Sequence, residues 1–171
     1  MVPVFFYLRR EFKLVLPEEA LRISDYLRDS LIFLDVEADS KDAAIAKTIE
    51  LMSQSNVILD AGKFLQDVLE REKLGSTGIG KGVALPHART AQVKQIIVAM
   101  TRLTKGVDFG SEDNEPVRLI FLIGTPLKAV GEYLKVLAKL SKILRQDKIR
   151  KKLLKAESAV EVRKILEDAE E

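Results

Sequence analysis

The sequence predicts an α/β fold in a single domain, and three observations predict it. Short continuous apolar runs of strand length interleave with segments of helical period. The helical segments are numerous enough to cover two faces of a sheet. A chain of 171 residues with 47% hydrophobic and 32% charged residues is long enough for one packed core and short for two.

Residues 1–20 stand apart as an N-terminal appendage, in which EFKLVL could form a short strand closed by Pro17, and the domain proper spans 21–171. Ile23–Arg28 predicts a short helix, and LIFLDV at 31–36 a buried strand. Ser40 is a suitable N-cap for a helix reaching about Ser53, with Ala43, Ala46, Ile49 and Met52 near helical spacing. Asp60 caps a second helix whose apolar face is Phe64, Leu65, Val68 and Leu69, stopped at Leu74–Gly75. The run GSTGIGKGVALPHART, 75–90, predicts an irregular, turn-rich connection. IIVAM at 96–100 and VRLIFLI at 117–123 read as strands buried on both faces. After Thr125–Pro126 a long helix is expected to about Arg145, its stripe made of Val136, Leu137, Leu140, Ile143 and Leu144. Shorter helices follow at about 147–155 and 158–168.

Composition narrows the chemistry. There is no cysteine and one histidine, which removes disulfides, thiol nucleophiles and His- or Cys-rich metal sites, so neither a metal nor a cofactor is expected. The positive charges Arg9 and Arg10 follow the apolar start MVPVFFYL, the reverse of a secretory signal, and no run is long enough to span a membrane; a cytoplasmic chain without membrane insertion is expected. Net charge is +2, but 128–155 alone carries +8. No aromatic residues interleave with that basic run, so a solvated helical face is favoured and no nucleic acid is expected.

Gly75-Ser-Thr-Gly-Ile-Gly80-Lys81 matches seven positions of a P-loop, but Gly82 stands where Ser or Thr must hold Mg²⁺, and the segment follows a helix rather than a strand. Gly78, Gly80 and Gly82 can adopt positive φ, and such a loop serves either as a tight connection or as amides aimed at an anion. His87 follows, between Pro86 and Ala88, with Arg89 beside it and Arg71 on the preceding helix. Guanidinium groups bind phosphate bidentately, and a neutral imidazole is a competent nucleophile near pH 7. With acyl-transfer and metal chemistry poorly supplied, phosphoryl chemistry fits these residues best.

The segment REKLGSTGIGKGVALPHAR (71–89) resembles the phosphorylation-site segment of IIA domains of the bacterial phosphoenolpyruvate-dependent sugar phosphotransferase system. The similarity is to the fructose/mannitol type (type 2) and to the nitrogen-regulatory IIA proteins. It extends through RISDYL and LIFLDVEADSKDAAI to LIGTPLKAVGEYLKVLAKLSKIL. The resemblance implies a mixed β-sheet flanked by helices on both faces. It also implies a phosphotransferase component that takes phosphate from phospho-HPr and passes it to a IIB component in sugar uptake. The alternative it carries is a nitrogen-regulatory protein whose phosphorylation state controls partner binding. By position, His87 is the implied phosphoacceptor and Arg71 holds the phosphoryl oxygens; Ser76, Thr77, Gly78 and Arg89 support the phosphate loop. Tyr133 stands where many members carry a second histidine. It either supplies a neutral hydrogen bond, leaves the charge to Arg71, or is simply an aromatic on a helix surface.

Overall fold

The computed structural model describes residues 21–171, so the expectation for residues 1–20 lies outside the described residues. Two long apolar strands form the spine: β5 (Ile97–Val107) and β6 (Val117–Thr125), paired antiparallel from Ile97↔Gly124 to Val107↔Val117. β1 (Ile32–Val36) joins β5 in parallel. On the far side, β3 (Val83–Ala84) and β4 (His87–Arg89) both pair with β6 in parallel, and β2 (Gly78–Gly80) pairs antiparallel with β3. Among the described residues the result is a six-stranded mixed sheet.

Alternation along the strands divides the core in two. Val98, Met100, Leu119, Phe121 and Ile123 face one side, where α3 (Val130–Leu144), α4 (Asp147–Lys155) and α5 (Ala159–Ala169) pack. Ile97, Ala99, Ile120 and Leu122 face the other, covered by α1 (Lys41–Ser53) and α2 (Ala61–Lys73). Helices therefore lie on both faces, and both strands are buried on both sides, as their unbroken apolar character requires.

Ser40 and Asp60 cap α1 and α2 by accepting from the amides of Ala43 and Lys63, at 3.1 and 3.0 Å. The apolar face of α1 differs from the expected one. Ala43 is exposed, and the buried set is Ala44, Ile45, Thr48, Ile49 and Met52. Thr48 can be buried because its hydroxyl bonds the Ala44 carbonyl and meets the Thr101 hydroxyl, both at 2.9 Å.

Three further expectations need correction. The expected helix at 23–28 is a single 3-10 turn, Ile23–Asp25, followed by an extended Arg28 and a second turn at Asp29–Leu31; the segment is too short to nucleate an α-helix. The turn-rich run 75–90 holds three short strands: the backbones of β3 and β4 add to the β6 edge, and β2 pairs with β3. The strand expected at 96–100 continues to Val107, its polar end hidden by exposed Thr104, Lys105 and Gly106.

One contact positions the site. A Cβ on Gly124 would lie 3.0 Å from Phe64 Cζ, so the glycine lets α2 sit close against β6 and its neighbour β4. That brings the C-terminal turn of α2, which carries Arg71 and Glu72, toward His87.

Candidate functional site

His87 opens β4 and is half-buried. Pro86 disfavours helical backbone at Leu85, and the Pro86 carbonyl accepts from the Ile123 amide at 2.9 Å, tying the turn to the sheet. The Nδ1 of His87 lies 2.8 Å from the Leu85 carbonyl oxygen. A carbonyl only accepts, so Nδ1 carries the proton and Nε2 keeps its lone pair. Burial lowers the pKa of the ring below its ordinary 6.5; the Leu85 carbonyl opposes this, Arg71 adds to the lowering and Glu72 opposes it. The imidazole is neutral at pH 7.

Tyr133, one turn into α3, packs its ring against His87 with centroids 5.5 Å apart at 48°. It is 9% exposed, so the surface-aromatic alternative is excluded. Burial raises the phenol above its ordinary 10.0, and the charges of Arg71 and Arg89 pull it partly back. The phenol thus keeps its proton at neutral pH with both guanidinium groups in range.

Arg71 donates from Nη1 to the Gly75 carbonyl at 3.0 Å, which fixes the side chain at the end of α2 while leaving its other N–H groups available. Arg89 donates from Nη2 to the Leu127 carbonyl at 3.0 Å, tying β4 to the turn before α3.

The glycine loop, which the sequence leaves open between a tight connection and an anion cradle, turns several of its groups inward. Ser76 Oγ donates to the Phe109 carbonyl at 2.5 Å and accepts from the Gly78 amide at 3.1 Å. Thr77 is buried, with its amide and hydroxyl both on Glu72. The Lys81 amide bonds Asp113 Oδ2 at 2.7 Å. The amides of Thr77, Gly78 and Lys81 are therefore engaged within the protein, whereas the guanidinium groups of Arg71 and Arg89 each keep further N–H groups beyond the one bond to a backbone carbonyl. Gly80 and Gly82 do adopt positive φ, at 86° and 77°, but Gly78 does not. Its reason is steric: a Cβ there would lie 2.1 Å from Ser111 Oγ.

Sequence reasoning missed Glu72. It is 4% exposed, its side chain 3.6 Å from Lys41 Nζ. A charged residue in the last turn of a helix reads as solvent-facing, and only the adjacent Thr77 hinted at a partner.

The basic run is also less uniform than its composition. Arg150 is buried and donates to the Leu144 carbonyl at 2.9 Å, and Lys139 bonds the Leu21 carbonyl and lies 3.8 Å from Glu170. No described helix is long and apolar enough to cross a membrane.

Comparison with known proteins agrees with this geometry. The family model described as "Phosphoenolpyruvate-dependent sugar phosphotransferase system, EIIA 2" matches residues 25–169. The fructose-specific EIIABC component of Bacillus subtilis (strain 168) is 36% identical over 138 residues, covering 81% of this chain, which spans 22% of that protein's length. The crystal structure of the nitrogen regulatory protein IIA-Ntr from Neisseria meningitidis superposes with a TM-score of 0.79 at 42% identity, covering 84% of this chain and 98% of the other. Enzyme IIAMTL from Escherichia coli, solved in complex with phosphorylated enzyme IIBMTL, gives a TM-score of 0.71 at 25% identity, with 83% of this chain and 99% of that one covered.

Proposed function

The chain belongs to the EIIA 2 family of the phosphoenolpyruvate-dependent sugar phosphotransferase system, and from that premise we propose that it is a phosphocarrier with His87 as its phosphoacceptor. In this reading residues 21–171 are the IIA unit, an HPr-type protein is the donor and a IIB component the acceptor. The observation that carries it is the Nδ1 bond to Leu85, which leaves a neutral ring with its Nε2 lone pair unengaged beside Arg71.

In the transfer, Nε2 attacks the phosphorus of phospho-HPr in line as the donor's N–P bond breaks. The donor ring leaves with the electron pair of that bond. His87 becomes an Nε2-phosphoryl imidazole with its proton still on Nδ1, and the positive ring is stabilised by the Leu85 carbonyl. The transition state is loose, with charge spread over three equatorial oxygens, so catalysis rests on positioning and electrostatics. Arg71 and Arg89 supply the positive charge, and Tyr133 a neutral hydroxyl with its ring packed on the nucleophile. Transfer from one imidazole to another keeps the phosphoryl group at similar energy, and the same steps in reverse pass it to IIB.

The likeness to a nitrogen regulatory protein favours a second reading on the same chemistry, in which the phosphate governs partner choice. Phosphate on His87 adds about −1.5 to −2 charge at the docking surface, enough to switch an interface.

Incubation with phosphoenolpyruvate, enzyme I and HPr, followed by intact mass and an acid-lability test, examines the proposal. The wild type is expected to gain one acid-labile phosphoryl group and His87→Ala none. A stable phosphate on His87→Ala excludes the assignment.

A further inference from the structure

A continuous line of hydrogen bonds runs from a buried carboxylate to the nucleophilic ring. Glu72 Oε1 accepts from the Thr77 amide at 3.0 Å and Oε2 from the Thr77 hydroxyl at 2.6 Å. The Thr77 carbonyl accepts from the Leu85 amide at 3.0 Å. The Leu85 carbonyl in turn accepts from His87 Nδ1 at 2.8 Å. Burying a carboxylate is costly unless donors and a counter-charge offset the lost hydration. Here Thr77 supplies both donors, and Lys41 at the start of α1 supplies the charge. Such a group is out of place in a plain helix end, and its bonds hold Thr77, whose carbonyl bonds the residue that accepts from the ring.

We propose that Glu72 is a positioning residue for phosphoryl transfer: through Thr77 and the Leu85 backbone it holds His87 in the Nδ1–H tautomer, leaving the Nε2 lone pair for phosphorus. Glu72 touches neither the phosphoryl group nor the partner in this scheme. A ring free to exchange tautomers presents a protonated Nε2 part of the time, and that form cannot attack. The charged and titratable groups acting on the ring are Arg71 and Glu72 from α2, with Tyr133 packed on it from α3. The negative charge of Glu72 favours the protonated ring and the positive charge of Arg71 opposes it, so Glu72 acts on His87 through geometry and through its field.

The inference rests on the phosphocarrier reading of His87, but the tautomer is measurable without any phosphoryl donor. The chain has a single histidine, so ring nitrogen-15 shifts report His87 alone. The wild type is expected to show one tautomer, with the proton on Nδ1. Glu72→Ala is expected to show a mixture, and a fall of roughly ten- to a hundredfold in kcat for acceptance from phospho-HPr with KM unchanged. Glu72→Gln is the conservative rescue. Its amide oxygen still accepts from the Thr77 amide, and its nitrogen donates to the Thr77 hydroxyl. It keeps the wild-type tautomer and most of the rate, while the ring titrates at lower pH. A folded Glu72→Ala protein with the wild-type tautomer overturns the proposal, as does a loss confined to KM. Should Glu72→Ala fail to fold, Thr77→Val removes one of the two bonds and is read the same way, an unchanged ring again overturning it. A wild type that takes no phosphoryl group overturns the phosphocarrier reading, whereas the ring shifts decide the role of Glu72 separately.

Discussion

His87 links folding to pH. Its pKa is lowered by burial, so the unfolded chain binds the proton more readily than the folded one does. The sign follows: the contribution of this residue to stability is complete above about 6.5, the free imidazole value, and is lost as pH falls through the lowered value. Denaturant melts of the wild type should therefore lose more stability on acidification across that window than melts of His87→Ala. The rate of phosphoryl acceptance is expected to rise with pH through the same value and to level off by pH 7, where the ring is already neutral. Arg71→Lys keeps the charge but loses the fork that bonds Gly75 and that, in the proposed transfer, is turned on the phosphoryl oxygens. A loss on the order of a hundredfold in transfer rate is expected, the size of removing one transition-state donor. Its thermal melt should stay near that of the wild type. Equal rates for the two proteins would remove Arg71 from the mechanism.

At the scale of elements, the packing of the glycine loop on the 108–115 turn is the tightest constraint. Gly78→Ala forces a methyl group into Ser111 Oγ, a buried hydroxyl with no hydrogen-bond partner among the described residues. The cost expected for such overpacking is about 1–3 kcal/mol. Ser111→Gly in the same chain should recover most of it, measured by denaturant unfolding, and a double variant no more stable than Gly78→Ala would contradict the steric account. Much of this level was legible in the amino-acid sequence. Ser40, Asp60 and the β6 run announce themselves through local chemistry and unbroken hydrophobicity. The three short strands at 78–89 did not, since two or three residues are too few to show a period, and β3 and β4 pair with β6 36 residues further on (Val83↔Leu119, His87↔Ile123). In the site, His87 and Arg71 were legible from the motif around them. Glu72 and the Leu85 carbonyl were not, because burial of an acid and a backbone bond to a ring leave no mark on composition.

Across the whole molecule, the sheet is clamped between two helical layers, and a buried cation at the middle of β5 ties α4 to β1. Arg102 is 6% exposed; it donates to the Leu153 and Ala156 carbonyls at the end of α4 and to Asp35 at the bulge of β1. Asp35 holds a φ of 55° there. Arg102→Ala leaves those two carbonyls without this donor, and a loss of about 3 kcal/mol in global stability is expected, seen as a shifted denaturant midpoint. Phosphoryl acceptance by the remaining folded protein should be unaltered, since Arg102 makes no contact with the site. The measurement that bears most directly on the central claim returns to the single histidine of the chain. Nitrogen-15 NMR after incubation with phosphoenolpyruvate, enzyme I and HPr should show phosphorus coupled to Nε2 of His87 with the proton retained on Nδ1. Phosphorus on Nδ1, or no phosphoryl group while a known IIA domain in the same mixture is phosphorylated, would contradict the account.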